Sequence, residues 1–125
     1  MPTRHRDQLL ASCEGRLTFT RHPDGCLLVY PRPIWEAKAK ALSGLPAELH
    51  YLRRLLVGNA FDVEMDGAGR LLVPAPLREK AGLARDAELL GVGEYFELWE
   101  PEQLREREER DLAGGLPPAA AGFSF

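Results

Sequence analysis

Short stretches in which apolar and polar residues alternate recur along the chain, and the turn residues between them predict β-hairpins. Residues 16–20 and 26–30 flank the turn sequence His22-Pro23-Asp24-Gly25. Residues 88–92 and 95–99 flank a shorter turn that contains glycine. The pattern therefore predicts two hairpins that are far apart in the sequence.

Apolar residues at helical spacing, bounded by proline or glycine, predict helices beside these hairpins. The predicted helices cover residues 2–10, 33–42, 47–57, 76–81 and 101–111. Residues 112–125 are dominated by Gly, Pro and Ala, which predicts a disordered tail. Four aromatic residues fall at core positions and are interpreted as packing residues: Tyr30, Trp35, Phe96 and Trp99.

A third hairpin is predicted from residues 61–65 and 70–73, and its turn carries the most informative residues of the chain. The carboxylate of Asp66 can accept hydrogen bonds from the turn amides, and Gly67 and Gly69 permit positive φ there. We interpret Asp66 as a structural cap of the turn in preference to a ligand contact.

Two arginines accompany this turn. Arg70 follows it directly, and Arg78 lies in the next predicted helix, which Pro76 opens. Arginines on a rigid hairpin suit a phosphate backbone better than catalysis. Instead of contacting DNA or another phosphate, Arg70 could form an ion pair with a neighbouring acid such as Glu64. Arg78 could simply be a solvated residue on the helix surface.

The order of the predicted elements repeats along the chain. Met1-Pro2 aligns with Val73-Pro74 at an offset of 72 residues, and Leu28-Val29-Tyr30 aligns with residues 97–99 at an offset of 69. Each copy contains a helix opened by proline, a hairpin and a second helix. The hairpin at residues 61–73 precedes only the second copy.

Length and charge leave the number of domains and the kind of partner open. The 125 residues are 45% hydrophobic, which suffices for one compact domain or two small repeats. The net charge is −3, but residues 1–58 carry nine Lys or Arg against five Asp or Glu, whereas residues 59–125 carry seven against fourteen. This asymmetry permits a basic face, and a mixed solvated surface accounts for it equally well. No apolar run approaches the ~20 residues that span a bilayer, so no membrane partner is predicted.

The sequence offers little support for an enzyme. It contains no nucleophile-elbow, Walker or zinc-protease motif. His5, His22 and His50 are widely separated, and Cys13 and Cys26 are interpreted as reduced thiols that no histidine activates. We predict no catalytic residue, metal site, cofactor or small-molecule substrate.

An ordered set of motifs resembles the MraZ family of transcriptional regulators. The most specific pieces are Asp66-Gly67-Ala68-Gly69-Arg70, Val73-Pro74 and Leu77-Arg78. Arg53-Arg54-Leu55-Leu56-Val57-Gly58 precedes them and Phe96-Glu97-Leu98-Trp99 follows them. The resemblance extends over residues 1–111.

The resemblance implies a mixed α+β fold made of two tandem swapped-hairpin modules of the SpoVT/AbrB type, which form a small β-barrel with flanking short helices. The first module would cover residues 1–45 and be incomplete at its N-terminus. A connecting helix would cover residues 46–58, the second module residues 59–111, and the tail residues 112–125.

The same resemblance implies a sequence-specific regulator that binds double-stranded DNA at repeated promoter elements. These promoter elements would belong to the gene cluster for division and cell-wall synthesis that contains the protein's own gene. The protein would be a ring-shaped homo-oligomer, located in the cytoplasm and associated with the nucleoid. By position in the motifs, the DNA contacts would be Arg70, Arg78, Arg6 and Arg4, with Asp66, Gly67 and Gly69 forming the turn.

Two alternatives to DNA binding stay open. One is an AbrB-type antitoxin or another protein-interaction module, although such antitoxins usually carry one module and not two. The other is a scaffold that assembles without DNA, which the acidic net charge favours.

The resemblance also bears on the start of the chain. Family members begin with a strand, a D-x-x-x-R turn and a second strand before a V-P-x-x-x-R stretch, and this chain begins at Met1-Pro2, where that stretch is expected. The hypothesis is that the start is internal and that the native protein carries about one hairpin more. A genuine truncation with altered function is the alternative.

Overall fold

A computed structural model describes residues 15–68 and 70–124 of the chain. Five antiparallel strands form one sheet in the order β3-β1-β2-β5-β4. The strands are β1 (Arg16–Arg21), β2 (Leu27–Pro31), β3 (Phe61–Glu64), β4 (Glu88–Gly91) and β5 (Phe96–Trp99). The two hairpins predicted from residues 16–30 and 88–99 are thus confirmed, and both belong to this sheet.

Helices cover the sheet on both sides. They are α1 (Arg32–Ser43), α2 (His50–Leu56), α3 (Ala75–Lys80) and α4 (Pro101–Ala113), with short 3-10 turns at Ala47–Leu49 and Pro118–Ala120. Proline occupies the first turn of α1, α3 and α4, where its fixed φ suits a helix start and its missing N–H costs no hydrogen bond. The predicted α+β character is therefore confirmed, whereas the swapped-hairpin barrel, the domain boundaries and the disordered tail stay predictions.

The centre of the sheet reproduces the repeat seen in the sequence. β2 and β5 pair with Leu28 opposite Glu97, the two residues that the offset of 69 aligns. The flanking pairs Leu27–Leu98 and Val29–Phe96 are exchanged by the same offset. The register therefore places an approximate two-fold axis between the two hairpins.

One face of the sheet, which we call face A, holds the larger core cluster. Its strand residues are Leu17, Phe19, Leu27, Val29, Phe96 and Leu98. Leu77 and Ala81, in and just after α3, cover them together with Met65. Leu77 is completely buried, so α3 is fixed to the sheet by this side chain.

The opposite face, face B, packs against α1 and α2. Its core contains Leu28, Tyr30, Trp35, Leu42 and Leu56. The ring centroids of Tyr30 and Trp35 lie 5.6 Å apart, a distance typical of favourable aromatic pairs. All five residues of β2 are buried because both faces of this central strand are covered.

Two predicted elements differ from the structure. Residues 70–73 were expected to form a strand, but they belong to no strand of the sheet. Leu71 and Val73 pack against the core of face A while Leu72 is 77% exposed, so the alternation of the side chains is present without backbone pairing. The predicted helix at residues 47–57 begins as a 3-10 turn and becomes α2 only at His50. The predicted helix at residues 2–10 lies outside the described residues.

β3 is held to β1 by polar side chains as well as by the ladder. The Nη2 atom of Arg32 lies 3.3 Å from the carbonyl oxygens of both Leu17 and Val63, to which it donates hydrogen bonds. Thr18 donates from Oγ1 to Oδ1 of Asp62 at 2.8 Å, and Nε of Arg32 lies 3.8 Å from the same oxygen. Arg32 therefore joins the start of α1 to both strands.

We predict that Arg32→Ala lowers the free energy of unfolding by about 1.5–3 kcal/mol, because hydrogen bonds from a charged donor to two strand carbonyls are lost. Urea denaturation followed by circular dichroism should show a lower midpoint with an unchanged slope. Lys38→Ala, an exposed residue of the same helix, is the control and should change stability by less than about 0.5 kcal/mol. Equal midpoints for the two variants would contradict this role of Arg32.

Candidate nucleic-acid interface

The turn that follows β3 is closed by the side chain of Asp66. Its Oδ1 accepts hydrogen bonds from the backbone N–H groups of Ala68 at 2.9 Å and Arg70 at 2.8 Å. Its own backbone N–H donates to the carbonyl oxygen of Arg70 at 3.0 Å. The two ends of the turn are thereby locked together over four residues.

The same carboxylate fixes the arginine side chain. Nε of Arg70 donates to Oδ2 of Asp66 at 2.9 Å. The acid that pairs with Arg70 is therefore Asp66 and not Glu64, which was the example suggested by the sequence. The Arg70 side chain is still 80% exposed, and its terminal guanidinium nitrogens have no hydrogen-bond partner among the described residues. Asp66 thus orients the guanidinium and leaves its outer edge open.

The environment of Asp66 favours its ionised form. The backbone N–H of Arg70 has the largest effect and lowers the pKa of this carboxyl. Desolvation, the next largest effect, raises the pKa, and the Arg70 side chain and the N–H of Ala68 lower it further, so the net shift is downward. Because the ionised form is the one that closes the turn, the charge and the geometry of the site depend on each other.

Arg78 is exposed on α3, next to the buried Leu77. Its backbone N–H donates to the carbonyl of Pro74 at 3.0 Å, and its carbonyl accepts from Leu83 at 2.9 Å. The side chain of Arg78 makes no ion pair with any residue in the described part of the chain. The structure places Arg70 and Arg78 on the segment that packs on face A, because Leu71, Val73 and Leu77 all contact the core there.

The other predicted site residues have different outcomes. Gly67 lies in the turn but does not adopt the positive φ that glycine permits, and a Cβ added there would meet nothing within 4 Å. The carboxylate of Asp66 shapes the turn instead. Arg4, Arg6 and Gly69 lie outside the described residues.

Sequence reasoning missed the residue that attaches β3 to the start of α1. Arg32 contacts β3 across 31 residues of sequence, and a single arginine between two prolines carries no pattern that predicts such a contact. Only the strand order brings the carbonyl of Val63 within reach of its guanidinium.

Cysteine thiols and groups of metal-ligand side chains are the remaining candidate sites. Cys26 is free and buried, and its burial raises the pKa of the thiol to about 12, so it is protonated at neutral pH. Cys13 lies outside the described residues. Within residues 15–68 and 70–124 no group of three or more His, Cys, Asp or Glu side chains could hold a metal ion. None of the helices described here is both long and apolar enough to cross a membrane.

Comparison with known proteins identifies relatives over the whole chain. A family model described as "MraZ protein, putative antitoxin-like" matches residues 56–114. The protein named Transcriptional regulator MraZ from Bordetella pertussis (strain Tohama I) is 54% identical over 125 residues, which is 100% of this chain and 88% of the relative. Proteins of the same name from Herminiimonas arsenicoxydans and Acidovorax sp. (strain JS42) are 47% and 49% identical over the same shares.

We predict that the pKa of Asp66, followed by NMR of its carboxyl carbon between pH 2 and 7, lies below the ordinary value of about 3.9. Since the folded-state pKa is lowered, the carboxylate stabilises the fold above its unfolded-state pKa, and this contribution disappears as the pH falls through the folded-state value. In Arg70→Ala the pKa should rise only part of the way, because the backbone donors stay. A pKa at or above the ordinary value would show that the turn is not closed by this carboxylate.

Proposed function

The chain belongs to the MraZ family of transcriptional regulators, and from this we propose that it binds double-stranded DNA sequence-specifically at repeated promoter elements. We further propose that it does so as a ring-shaped homo-oligomer, on the gene cluster for division and cell-wall synthesis that contains its own gene. The protein would then be associated with the nucleoid in the cytoplasm.

The observation that carries the proposal is the presentation of Arg70. Its Nε is occupied by Asp66 at 2.9 Å, so the guanidinium is oriented before any partner arrives. The exposed terminal nitrogens can donate to two phosphate oxygens or to O6 and N7 of guanine. An arginine that is held in this way loses less conformational entropy on binding than a free one.

The distribution of charge is compatible with an anionic partner despite the net charge of −3. The acidic helix α4 is attached through Leu104, which packs with Cys26 and Trp99 in a separate cluster. In addition, Arg105 lies between Glu102 and Glu109 in α4 at 2.6 and 3.0 Å, so part of the acidity is paired within that helix. Arg70 and Arg78 lie on the segment that packs on face A, where they can form a basic surface of their own.

A ring would compensate for the small number of contacts in each subunit. The roughly two arginines that each subunit offers would bind DNA only weakly by themselves. Repeated DNA elements spaced like neighbouring subunits would turn these contacts into avidity, since each later contact is intramolecular.

A protein-interaction role is the second candidate, and the words "antitoxin-like" in the description of the matching family model favour it. A protein partner would be held mainly by apolar contacts, whereas DNA binding weakens steeply with salt. A scaffold that assembles without DNA would show no retention on promoter DNA at any salt concentration.

We predict that Arg70→Ala weakens binding to a DNA fragment from upstream of its own gene by about fivefold or more, since a bidentate arginine contact contributes about 1–3 kcal/mol. The slope of log affinity against log salt should also decrease by about one, measured by fluorescence anisotropy from 50 to 300 mM salt. Arg110→Ala on α4 removes the same charge elsewhere and should leave both quantities nearly unchanged. Equal effects of the two variants would remove Arg70 from the interface.

We predict that Asp66→Ala also weakens DNA binding. Loss of a negative charge near DNA should by itself strengthen binding, so a weaker complex would show that Asp66 acts by positioning Arg70. The matched control is Glu79→Ala, which removes an acid next to Arg78 without touching the turn. Stronger binding by both variants would mean that the orientation of Arg70 contributes little.

A further inference from the structure

The outward side of α2 carries a row of exposed residues at helical spacing. The row consists of His50, Arg53, Arg54 and Val57, at positions i, i+3, i+4 and i+7, and Val57 is 41% exposed. The leucines of α2 lie on the other side of the helix and belong to the core of face B. We call these four exposed residues the basic stripe.

The arginines of the basic stripe have no acidic partner in the described part of the chain. Neither Arg53 nor Arg54 forms an ion pair there, and α2 contains no Asp or Glu. Tyr51, beside the stripe, is 57% exposed. Tyrosine and arginine are enriched at protein interfaces, and a guanidinium can donate two parallel hydrogen bonds to a carboxylate. The stripe therefore has the composition of a docking surface for an acidic partner.

The second half of α4 extends beyond the contact that attaches this helix to the sheet. Leu104 is the one buried residue of α4, and it packs with Cys26 and Trp99. From Glu108 to the end of the helix at Ala113 every residue is exposed. The last turns of α4 therefore contribute nothing to the core of their own chain.

The side of α4 that holds Leu104 continues along this exposed half. Glu108, Asp111 and Leu112 follow Leu104 by four, seven and eight residues and so lie on the same side of the helix. Leu112 is 81% exposed. Neither carboxylate forms an ion pair with a described residue, whereas two other acids of α4 are paired with Arg105. We call Glu108, Asp111 and Leu112 the acidic stripe.

The two stripes are complementary in charge and in apolar content. The basic stripe offers two guanidinium groups and Val57, and the acidic stripe offers two carboxylates and Leu112. Within one chain the two helices are attached to different strands. The carbonyl of Leu56 in α2 accepts a hydrogen bond from Thr20 in β1, whereas Leu104 of α4 packs next to β2 and β5. No ion pair among the described residues joins α2 to α4, so each stripe can take its partner from another chain.

We propose that the acidic stripe of one chain docks on the basic stripe of a second copy. The inference rests on the ring-shaped homo-oligomer proposed above and names the two surfaces that would join neighbouring subunits. A ring of more than two identical chains needs a head-to-tail contact between two different surfaces, because a contact between identical surfaces closes after two chains. The two stripes differ and attract each other, so they meet this requirement.

Charge and apolar content also separate this partner from the alternatives. Contact of either stripe with its own copy would bring like charges together, which suppresses association. DNA is another anionic partner for the arginines of α2, but a phosphate backbone gives no favourable contact to the exposed Val57. In addition, α2 packs on face B, whereas Arg70 and Arg78 lie on the segment that packs on face A. The basic stripe therefore stays accessible to a second chain when those two arginines contact DNA.

Charge reversal in the full chain tests the pairing. One variant carries Arg53→Glu and Arg54→Glu, and a second carries Glu108→Lys and Asp111→Lys. Each should associate with itself at least about tenfold more weakly than the wild type, because unlike charges in the contact become like charges. Light scattering after size-exclusion chromatography should then give the mass of one chain. Circular dichroism during heating shows whether each variant is folded, so that loss of association is not confused with unfolding.

An equimolar mixture of the two variants tests whether the stripes meet each other. In the mixture the unchanged acidic stripe of the first variant faces the unchanged basic stripe of the second, and the two reversed stripes also attract each other. The mass should therefore return to the wild-type value. Lys38→Glu with Lys40→Glu, which reverses two exposed charges of α1, is the control and should keep the wild-type mass by itself. The proposal is overturned if both variants keep that mass alone, or if their mixture stays at the mass of one chain.

DNA binding separates this inference from the function on which it rests. Self-association is measured without DNA, so its result does not depend on the contact made by Arg70. The two reversed variants should bind a fragment with repeated elements at least about tenfold more weakly than the wild type, because avidity is lost, and should bind a single element with little change. Wild-type oligomers that do not bind DNA would contradict only the proposed DNA contact. A wild-type protein that stays a single chain at every concentration would overturn both the ring and the pairing of the stripes.

Discussion

The antiparallel pairing of β2 with β5 is the contact on which the rest of the structure depends. It joins the two copies of the repeat, places Leu28 opposite Glu97 and makes one sheet of two hairpins. Every residue of β2 is buried, since helices and loops cover both faces of this central strand. Burial of apolar surface is the dominant favourable contribution to folding, and this strand contributes to it on both faces.

Once the hairpins are joined, the position of the arginines follows. β3 precedes the second copy in the sequence but pairs with β1 of the first copy, where the ladder and Arg32 hold it. The turn after β3 is closed by Asp66, and the chain returns over face A to α3, which Leu77 anchors. Arg70 is therefore supported at both ends by buried structure while its guanidinium stays exposed.

Much of the secondary structure and part of the site could be predicted from the sequence. The hairpins at residues 16–30 and 88–99 and the described helices that begin with proline were predicted within a few residues. Tyr30, Trp35, Phe96 and Trp99 are all buried, no more than 8% exposed, as expected of core residues. The predicted strand at residues 70–73 was wrong, and Gly67 does not use the positive φ that glycine permits. Alternating side chains show that a segment is extended, but a strand also needs a neighbouring backbone, which lies elsewhere in the sequence.

The sequence by itself determined those structural features that depend on residues close together in the chain. Alternation and helical spacing select the local conformation, proline fixes where helices begin, and Asp66 closes a turn whose partners are at most four residues away. Tertiary structure alone decided the strand order and the attachment of β3 through Arg32. These features arise from hydrogen bonds and apolar contacts between residues distant in the chain, and no local pattern specifies which edges meet.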